Sequence, residues 1–327
     1  MNTATVRRPA DIRLIDLRPT ADAIARDALA GLSRTPKRLP SKYFYDARGS
    51  RLFEAITRLP EYYLTRTEIA LMESRMTDIA SAVGSHTHVV EYGSGSGRKT
   101  RMLLDALADP VAYTPIEISR TALLASVQRL GDEFPAIEML PVCADFTHAV
   151  RLPAPTRPAM RTLVFFPGST LGNFSNDEAV ALLRAMRATM GDRGAALIGI
   201  DLQKNVALME AAYNDAAGVT AEFTLNLLVR LNREIGSDFD PGGFRHRARY
   251  NRDAGRIETF LVSEREQAVG VGRRMFRFAA GEAMQVEYSH KYTDPGFAQL
   301  AALAGLRVTD GWNDPLDWFG IRRVAPA

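Results

Sequence analysis

Val89-Val90-Glu91-Tyr92-Gly93-Ser94-Gly95-Ser96-Gly97-Arg98-Lys99-Thr100 is an apolar run with one acidic residue, three alternating glycines, and then the start of a helical pattern. It spells a parallel strand that turns sharply beneath a nucleoside. The glycines let the backbone pass close to a ligand because no Cβ stands in the way. Dinucleotide-binding folds use a related loop to hold a pyrophosphate at a helix N-terminus. Here the acidic Glu91 precedes the glycines, and a second acid, Glu117, closes the next strand pattern. Those positions suit an amino-acid moiety and a ribose diol, so the expected cofactor is S-adenosylmethionine. A tight βα turn without a ligand has the same spelling, and the loop alone does not separate the two.

Outward from the loop, strand and helix patterns alternate. Strands are expected at 88–92, 112–118, 138–142, 162–166 and 195–201, with helices at 99–108, 120–134 and 177–190. The strands read as nearly continuous apolar runs, as they do when helices cover both faces of a parallel sheet. Upstream, residues 20–32 read as a helix and 39–64 as an aromatic-rich passage whose middle, 50–59, is a short helix. Thr65-Arg-Thr-Glu68 fits a capping box opening a helix that runs to about residue 83. Downstream, 205–233 reads as one or two helices interrupted near Gly218, followed by antiparallel strands at 245–251, 256–263 and 284–292. A last helix at 295–304 precedes strands at 306–312 and 318–324. The first ten residues are polar and expected to be disordered.

The 327 residues are 46% hydrophobic and 24% charged, with 41 basic and 38 acidic side chains for a net charge of +3. This suits a globular protein of one large or two medium domains. Arg273-Arg274 and Arg322-Arg323 are isolated pairs that read as solvated faces rather than a nucleic-acid footprint. The single cysteine, Cys143, excludes an intrachain disulfide framework and a cysteine-built zinc site, and reads as a core thiol. The five histidines show no ligand-like spacing, so no metal is expected. No apolar run approaches the roughly 20 residues needed to span a bilayer. Arg7 and Arg8 are not followed by an apolar signal region, which makes a cytoplasmic location the expectation.

Four segments carry a family resemblance: Leu39-Pro-Ser-Lys-Tyr-Phe-Tyr-Asp46; Gly49 through Tyr63 with Thr65-Arg-Thr-Glu68; Glu91-Tyr-Gly-Ser-Gly95 with Lys99-Thr100; and Phe165-Phe-Pro-Gly-Ser-Thr-Leu-Gly-Asn173. Together with Gly281-Glu282 and Glu287-Tyr-Ser289, the chain resembles the histidine Nα-methyltransferases of ergothioneine biosynthesis, which make hercynine from L-histidine and S-adenosylmethionine. The resemblance implies a Rossmann-like α/β methyltransferase sheet (68–202 plus 290–327). A second, smaller α+β substrate-binding domain (10–67 plus 203–289) would lie over the carboxyl ends of its strands. It implies a cofactor site of Glu91, Gly93, Ser94, Gly95, Lys99, Glu117, Asp145 and Phe146. In that site Glu117 takes the ribose hydroxyls, while Asp145 and Phe146 embrace the adenine.

On the substrate side the resemblance places Asn173 and Tyr213 at the α-carboxylate and Tyr45 and Gly168 near the α-amine. It gives Phe53 to the pocket wall, and Tyr62, Glu287 and Ser289 to the imidazole. Tyr45, Gly168 and Asn173 form the expected catalytic group. A ring with one N–H and one acceptor nitrogen is matched by a carboxylate and a hydroxyl, and Glu287 and Ser289 lie two apart, on one face of a strand. Thr259 falls where better-known members carry a bulkier methionine beside the ring, which would enlarge the pocket. Each residue also has an ordinary reading: tyrosines as core packing, Asn173 as a turn residue, Asp145 as a loop acid, Lys99 and Glu287 as solvent-facing groups. The substrate expected is a free amino acid, with no nucleic-acid or membrane partner, and the chain a monomer. The competing readings are an Nα-methyltransferase for tryptophan or another aromatic or modified amino acid, a nucleic-acid methyltransferase, and a catalytically silent S-adenosylmethionine-binding regulator.

Overall fold

A computed structural model of the chain describes residues 14–17, 19–148 and 150–327. The polar first ten residues lie outside the described residues. Strand β1 (Ile15–Leu17) precedes α1 (Ala21–Leu32), whose N-cap Thr20 hydroxyl accepts from the Ala23 amide. A 3₁₀ turn (Ser41–Phe44), α2 (Ala47–Ile56) and the long α3 (Tyr63–Val83) complete the N-terminal part. There follow β2 (Thr87–Tyr92), α4 (Arg98–Ala106), β3 (Ala112–Glu117), α5 (Arg120–Glu133), β4 (Glu138–Met139), β5 (Val142–Ala144) and β6 (Arg161–Phe166). A 3₁₀ turn at Thr170–Asn173 leads to α6 (Asn176–Met190), β7 (Ala195–Asp201), α7 (Val206–Ala211) and α8 (Val219–Ile235). The remainder is β8 (Phe244–Asn251), β9 (Arg256–Ser263), β10 (Gln267–Val271), β11 (Arg274–Phe278), β12 (Ala283–His290), α9 (Asp294–Leu303), β13 (Leu306–Asn313) and β14 (Phe319–Pro326).

The large sheet runs β1-β5-β3-β2-β6-β7-β14-β13, with β4 attached to β3. All pairs from β1 to β7 are parallel, and β14 and β13 add an antiparallel edge. This is the expected α/β Rossmann-like class. Every residue of β2, β3 and β7 is buried, because helices cover both faces. Successive side chains in the strands part to opposite faces. Val90 and Phe166 pack under α6 and α9, while Val89 and Phe165 pack under α3 and α4. The chain leaves β2 for β3 and later returns on the other side at β6. The crevice between the carboxyl ends of β2 and β6 is therefore a topological switch point, where open α/β sheets bind ligands.

A third core gathers Ile24, Phe44, Tyr63, Phe223, Leu227, Ile257 and Met284 from the N-terminal passage and the 206–286 region. Its sheet is β12-β9-β8, antiparallel throughout. The N-terminal passage is stitched to it by backbone: the Leu39 amide donates to the Gln285 carbonyl at 2.9 Å, and the Gln285 amide donates to the Lys37 carbonyl at 2.9 Å.

Several sequence expectations are corrected. The capping box at Thr65 is absent, because α3 already begins at Tyr63 and both Thr65 and Glu68 lie inside it. A genuine capping box instead opens α6, between Ser175 and Glu178. The strand expected at 138–142 is broken at Leu140-Pro141, where proline has no N–H for the ladder. Residues 15–17, expected in the substrate-binding part, pair with β5 at the edge of the large sheet. The β10–β11 hairpin was not anticipated, although Gly272 (φ 58°) supplies the positive φ its two-residue turn demands. Arg322 is not a solvated residue: β14 is an inner strand, and the buried guanidinium donates to the Trp312 and Ile321 carbonyls and pairs with Asp294.

Asp46 ties the aromatic passage to α8. It accepts from the Gly49 amide (2.7 Å), the Asn226 amide (2.9 Å) and the Arg233 guanidinium (2.8 Å). Burial opposes its charge, but these donors outweigh burial and hold the carboxyl below its ordinary value. The stability it contributes is therefore present above the unfolded-state pKa and lost as pH falls through the folded one. Asp46→Ala is expected to cost about 2 kcal/mol, with Asp46→Asn costing less because it keeps the cap, as read from denaturant midpoints at neutral pH.

Candidate active site

The glycine loop leaves β2 at the switch point. Gly93, Gly95 and Gly97 all have positive φ (78°, 50° and 72°), which forces glycine there. A Cβ on Gly93 would stand 3.6 Å from the Phe146 ring, and one on Gly95 would project into open space. The loop therefore leaves a cradle that a side chain would fill. Ser94 Oγ is buried beside it and has no hydrogen-bond partner. Glu117, at the carboxyl end of β3, faces the loop and accepts from the amides of Gly95 (3.2 Å) and Ser119 (3.0 Å). Burial raises its pKa, and those amides restrain the rise.

Phe146 follows β5 and packs edge-on or tilted against Tyr92, Phe166 and Phe174, at centroid distances of 5.5, 5.6 and 6.3 Å. The neighbouring Asp145 is already engaged. Its Oδ1 accepts from the Thr147 amide (3.0 Å) and hydroxyl (2.6 Å), and its Oδ2 from Lys42 Nζ (3.0 Å). Burial opposes the charge, yet Thr147 and Lys42 together hold the carboxyl below its usual value. The glycine cradle, the Glu117 carboxylate, the aromatic wall and the unpaired Ser94 hydroxyl converge at the carboxyl ends of β2, β3 and β5. This set fits an adenosyl group carrying an amino acid.

Two expected cofactor residues stand differently. Glu91 is buried beneath the loop, where Thr100 Oγ1 donates to it at 2.6 Å and the Tyr113 hydroxyl also donates. Burial pushes its carboxyl up to about 8. It braces β2 against α4 and β3 rather than facing the groove. Lys99 extends from the first turn of α4 to Glu68 Oε2, 2.6 Å away. That same carboxylate accepts the Gly168 amide at 2.9 and 3.0 Å. Glu68 thus fastens the cofactor-side helix to the Pro167–Gly168 turn. Gly199, directly against Glu68, has no room for a Cβ, which would lie 2.5 Å from Glu68 Oε1.

The substrate-side residues come together across the gap between the two sheets. Tyr45 packs edge-on against Phe53 (5.6 Å), Phe53 against Tyr62 (6.3 Å), and Tyr62 against Tyr213 (6.3 Å). The Tyr213 hydroxyl lies 2.6 Å from Ser289 Oγ. On the adjacent strand Thr259 is paired with Glu287, so both project from the same face. Thr259 Oγ1 is buried without a partner, and Glu287 makes no hydrogen bond or ion pair to a described residue. Glu287 is only partly covered by surface area, yet it sits in a recess where desolvation pushes its carboxyl up to about 7, with Lys291 restraining the rise. Burial, then Glu287 and Tyr62, drive the Tyr45 hydroxyl well above its ordinary value, so it stays protonated at neutral pH.

Asn173 ends the 3₁₀ turn after β6, with its amide unengaged by any described residue. The preceding Gly172 brings this turn onto β12: a Cβ there would stand 3.0 Å from both N and O of His290. Ser169, held at φ 57°, accepts the Asp201 amide on Oγ at 2.9 Å.

Four residues that matter here escaped the sequence reading: Glu68, Asp201, Lys291 and Lys42. Glu68 was taken for a cap. Asp201 ends a parallel strand at the ligand-binding edge, which is a usable signal. Lys291 continues the i, i+2 series of Glu287 and Ser289 and was legible on that ground. Lys42 had no local signal, since its partners are Asp27 and the distant Asp145.

Comparison with known proteins agrees with this geometry. The family described as histidine-specific, S-adenosylmethionine-dependent methyltransferases matches residues 24–325. A histidine N-alpha-methyltransferase of Mycolicibacterium smegmatis is 42% identical over 92% of this chain and 94% of its own. A protein of the same name from Mycobacterium tuberculosis is 40% identical over 93% and 95%. An ergothioneine biosynthesis protein 1 of Neurospora crassa is 31% identical over 85% of this chain, which spans 32% of that longer protein. With a crevice shaped for an adenosyl amino acid and a match over nearly its whole length, the chain belongs to the histidine-specific, S-adenosylmethionine-dependent methyltransferases.

Proposed function

We propose that the protein trimethylates the α-amino nitrogen of L-histidine to give hercynine, the first step of ergothioneine biosynthesis. The observation that carries the reading is the unpaired Glu287 carboxyl beside the Tyr213–Ser289 hydroxyl pair and the Tyr45–Phe53–Tyr62–Tyr213 run of aromatic rings. Asn173 and Tyr213 donate to the substrate carboxylate, which fixes the backbone end. Glu287 accepts a ring N–H, with Ser289 and Tyr62 on the remaining ring edge. Thr259, paired with Glu287 across the strands, stands beside the ring.

Bound S-adenosylmethionine supplies an activated methyl group on a cationic sulfur. The protein holds the amine nitrogen near Gly168 and Tyr45, converting an encounter into an aligned displacement. The amine must lose its proton to attack. The Tyr45 hydroxyl, itself kept protonated, takes that proton as it passes its own on to water, acting as a relay rather than a standing base. The faces of Phe53, Tyr45 and Tyr62 accommodate a growing quaternary ammonium without asking it for N–H donors.

The two cores support a division into a cofactor domain, 68–202 plus 290–327, and a substrate domain over most of 10–67 plus 203–289. We take the protein to act as a cytoplasmic monomer on a free amino acid. Among the described residues no helix is long and apolar enough to cross a membrane.

Incubating the protein with S-adenosylmethionine and single amino acids, then weighing the products, tests the reading. Histidine is expected to gain three methyl groups. Turnover of tryptophan with none of histidine would overturn it, and the small Thr259 makes tryptophan the informative control. Glu287→Ala is expected to raise the KM for histidine by about tenfold or more while leaving S-adenosylmethionine affinity unchanged.

A pH prediction follows from the same carboxyl. Glu287 accepts a ring N–H far more strongly when ionised, so histidine binding should strengthen as pH rises through about 7. Glu287→Gln should remove that limb from the kcat/KM profile, leaving the substrate's own titrations.

A further inference from the structure

Lys291 is a buried charge that the mechanism above does not use. Its side chain has no exposed surface. The ammonium lies 2.8 Å from Asp201 Oδ2, 2.9 Å from the Tyr213 hydroxyl and 2.8 Å from Ser289 Oγ. An ammonium has three N–H groups and no lone pair, so these three partners use it completely. Both hydroxyl oxygens therefore accept from Lys291. The hydroxyls also lie 2.6 Å from each other, so one of them donates to the other. Of the two hydroxyl protons, one is used inside the triangle and one is left to point outward.

The charge count is equally constrained. Asp201 is fully buried and shared: Lys204 Nζ sits 2.6 Å from its Oδ1 while Lys291 takes Oδ2. Two ammonium groups thus share the Asp201 carboxylate, with Asp314 acting on Lys204 and Glu287 on Lys291 from beyond ion-pair distance.

We propose that Lys291 is the positioning residue that makes the Tyr213–Ser289 pair a single-proton donor and supplies the positive charge by which the site selects a substrate bearing a carboxylate. The inference rests on the amino-acid reading given above. A carboxylate only accepts, so the outward proton is that of Tyr213. Ser289 then donates to Tyr213, and its remaining lone pair meets a ring N–H, so with Glu287 on the other nitrogen the pair reads the ring in its two-donor, protonated form. Without the ammonium, the hydroxyls are free to rotate, and Tyr213 can turn its proton back to Ser289. A substrate lacking the carboxylate leaves the outward Tyr213 proton without its acceptor and gives up the attraction of the buried Lys291 ammonium.

The test compares histidine with histamine, its decarboxylated form, on the full-length wild type and on Lys291→Met. Three quantities are read: kcat and KM for histidine, the inhibition constant of histamine, and the Kd for S-adenosylmethionine by calorimetry. The wild type is expected to prefer histidine over histamine by at least about tenfold. In Lys291→Met the KM for histidine should rise by a similar factor, with kcat and S-adenosylmethionine affinity changing far less and the preference over histamine collapsing. A fall in kcat at unchanged KM and unchanged preference would assign Lys291 a merely structural role and overturn the proposal. Wild-type protein that binds histamine as tightly as histidine would also overturn it, a result that stands whether or not the variant folds. Wild-type turnover of histidine in the same assay separates the two claims: without it the histidine reading falls, and with it only the role of Lys291 is at stake.

Discussion

Asp201 ends β7 with no exposed surface, and its two oxygens receive the Tyr63 hydroxyl, the Lys204 ammonium and the Lys291 ammonium. A buried carboxylate left without such partners costs several kcal/mol, so these donors are not optional. They arrive from the start of α3, the segment after β7 and the segment after β12. The Asp201 amide adds a fourth tie, to Ser169 in the turn after β6. Satisfying one charge therefore fixes four chain segments relative to each other. Tyr213, Ser289 and Asn173 inherit their positions from that arrangement.

Glu68 plays a comparable part on the cofactor side. Its carboxylate joins Lys99 in α4 to the Gly168 amide, so the helix that follows the glycine loop and the turn after β6 share one anchor. The two buried acids meet neighbouring residues of the turn after β6, Glu68 at Gly168 and Asp201 at Ser169. Four residues proposed to contact ligands remain under-bonded: Ser94, Thr259, Glu287 and Asn173 keep polar atoms with no described protein partner. The donors and acceptors left open are those a charged, polar ligand pair can complete.

Much of this was legible from the chain alone. Continuous apolar strands alternating with helices gave a doubly wound sheet, and Gly93, Gly95 and Gly97 marked the ligand edge because only glycine tolerates their φ. The i, i+2 spacing of Glu287 and Ser289 put them on one face. What failed were features whose cause is not local. Glu68 has the right neighbours for a cap, but a helix start is decided by where packing begins, and Tyr63 packs two residues earlier than Thr65. Glu91 sits at the start of a ligand-binding motif yet points into the sheet, because Thr100 and Tyr113 claim its carboxyl. The three residues of β1 are too few to show a period, and their pairing is set by the exposed edge of β5.

The sequence by itself determined the alternation of elements and the glycine cradle, which follow from short-range rules of periodicity and backbone conformation. The residues proposed to read an imidazole and a carboxylate came from the family resemblance. Only the tertiary structure decided which charges meet. Glu68 with Lys99, Asp145 with Lys42, and Asp201 with both Lys204 and Lys291 are matched through space, and no spacing in the chain encodes that matching. The reason is that neutralising a buried charge depends on burial and distance, and both come into being only when the two sheets close over the crevice.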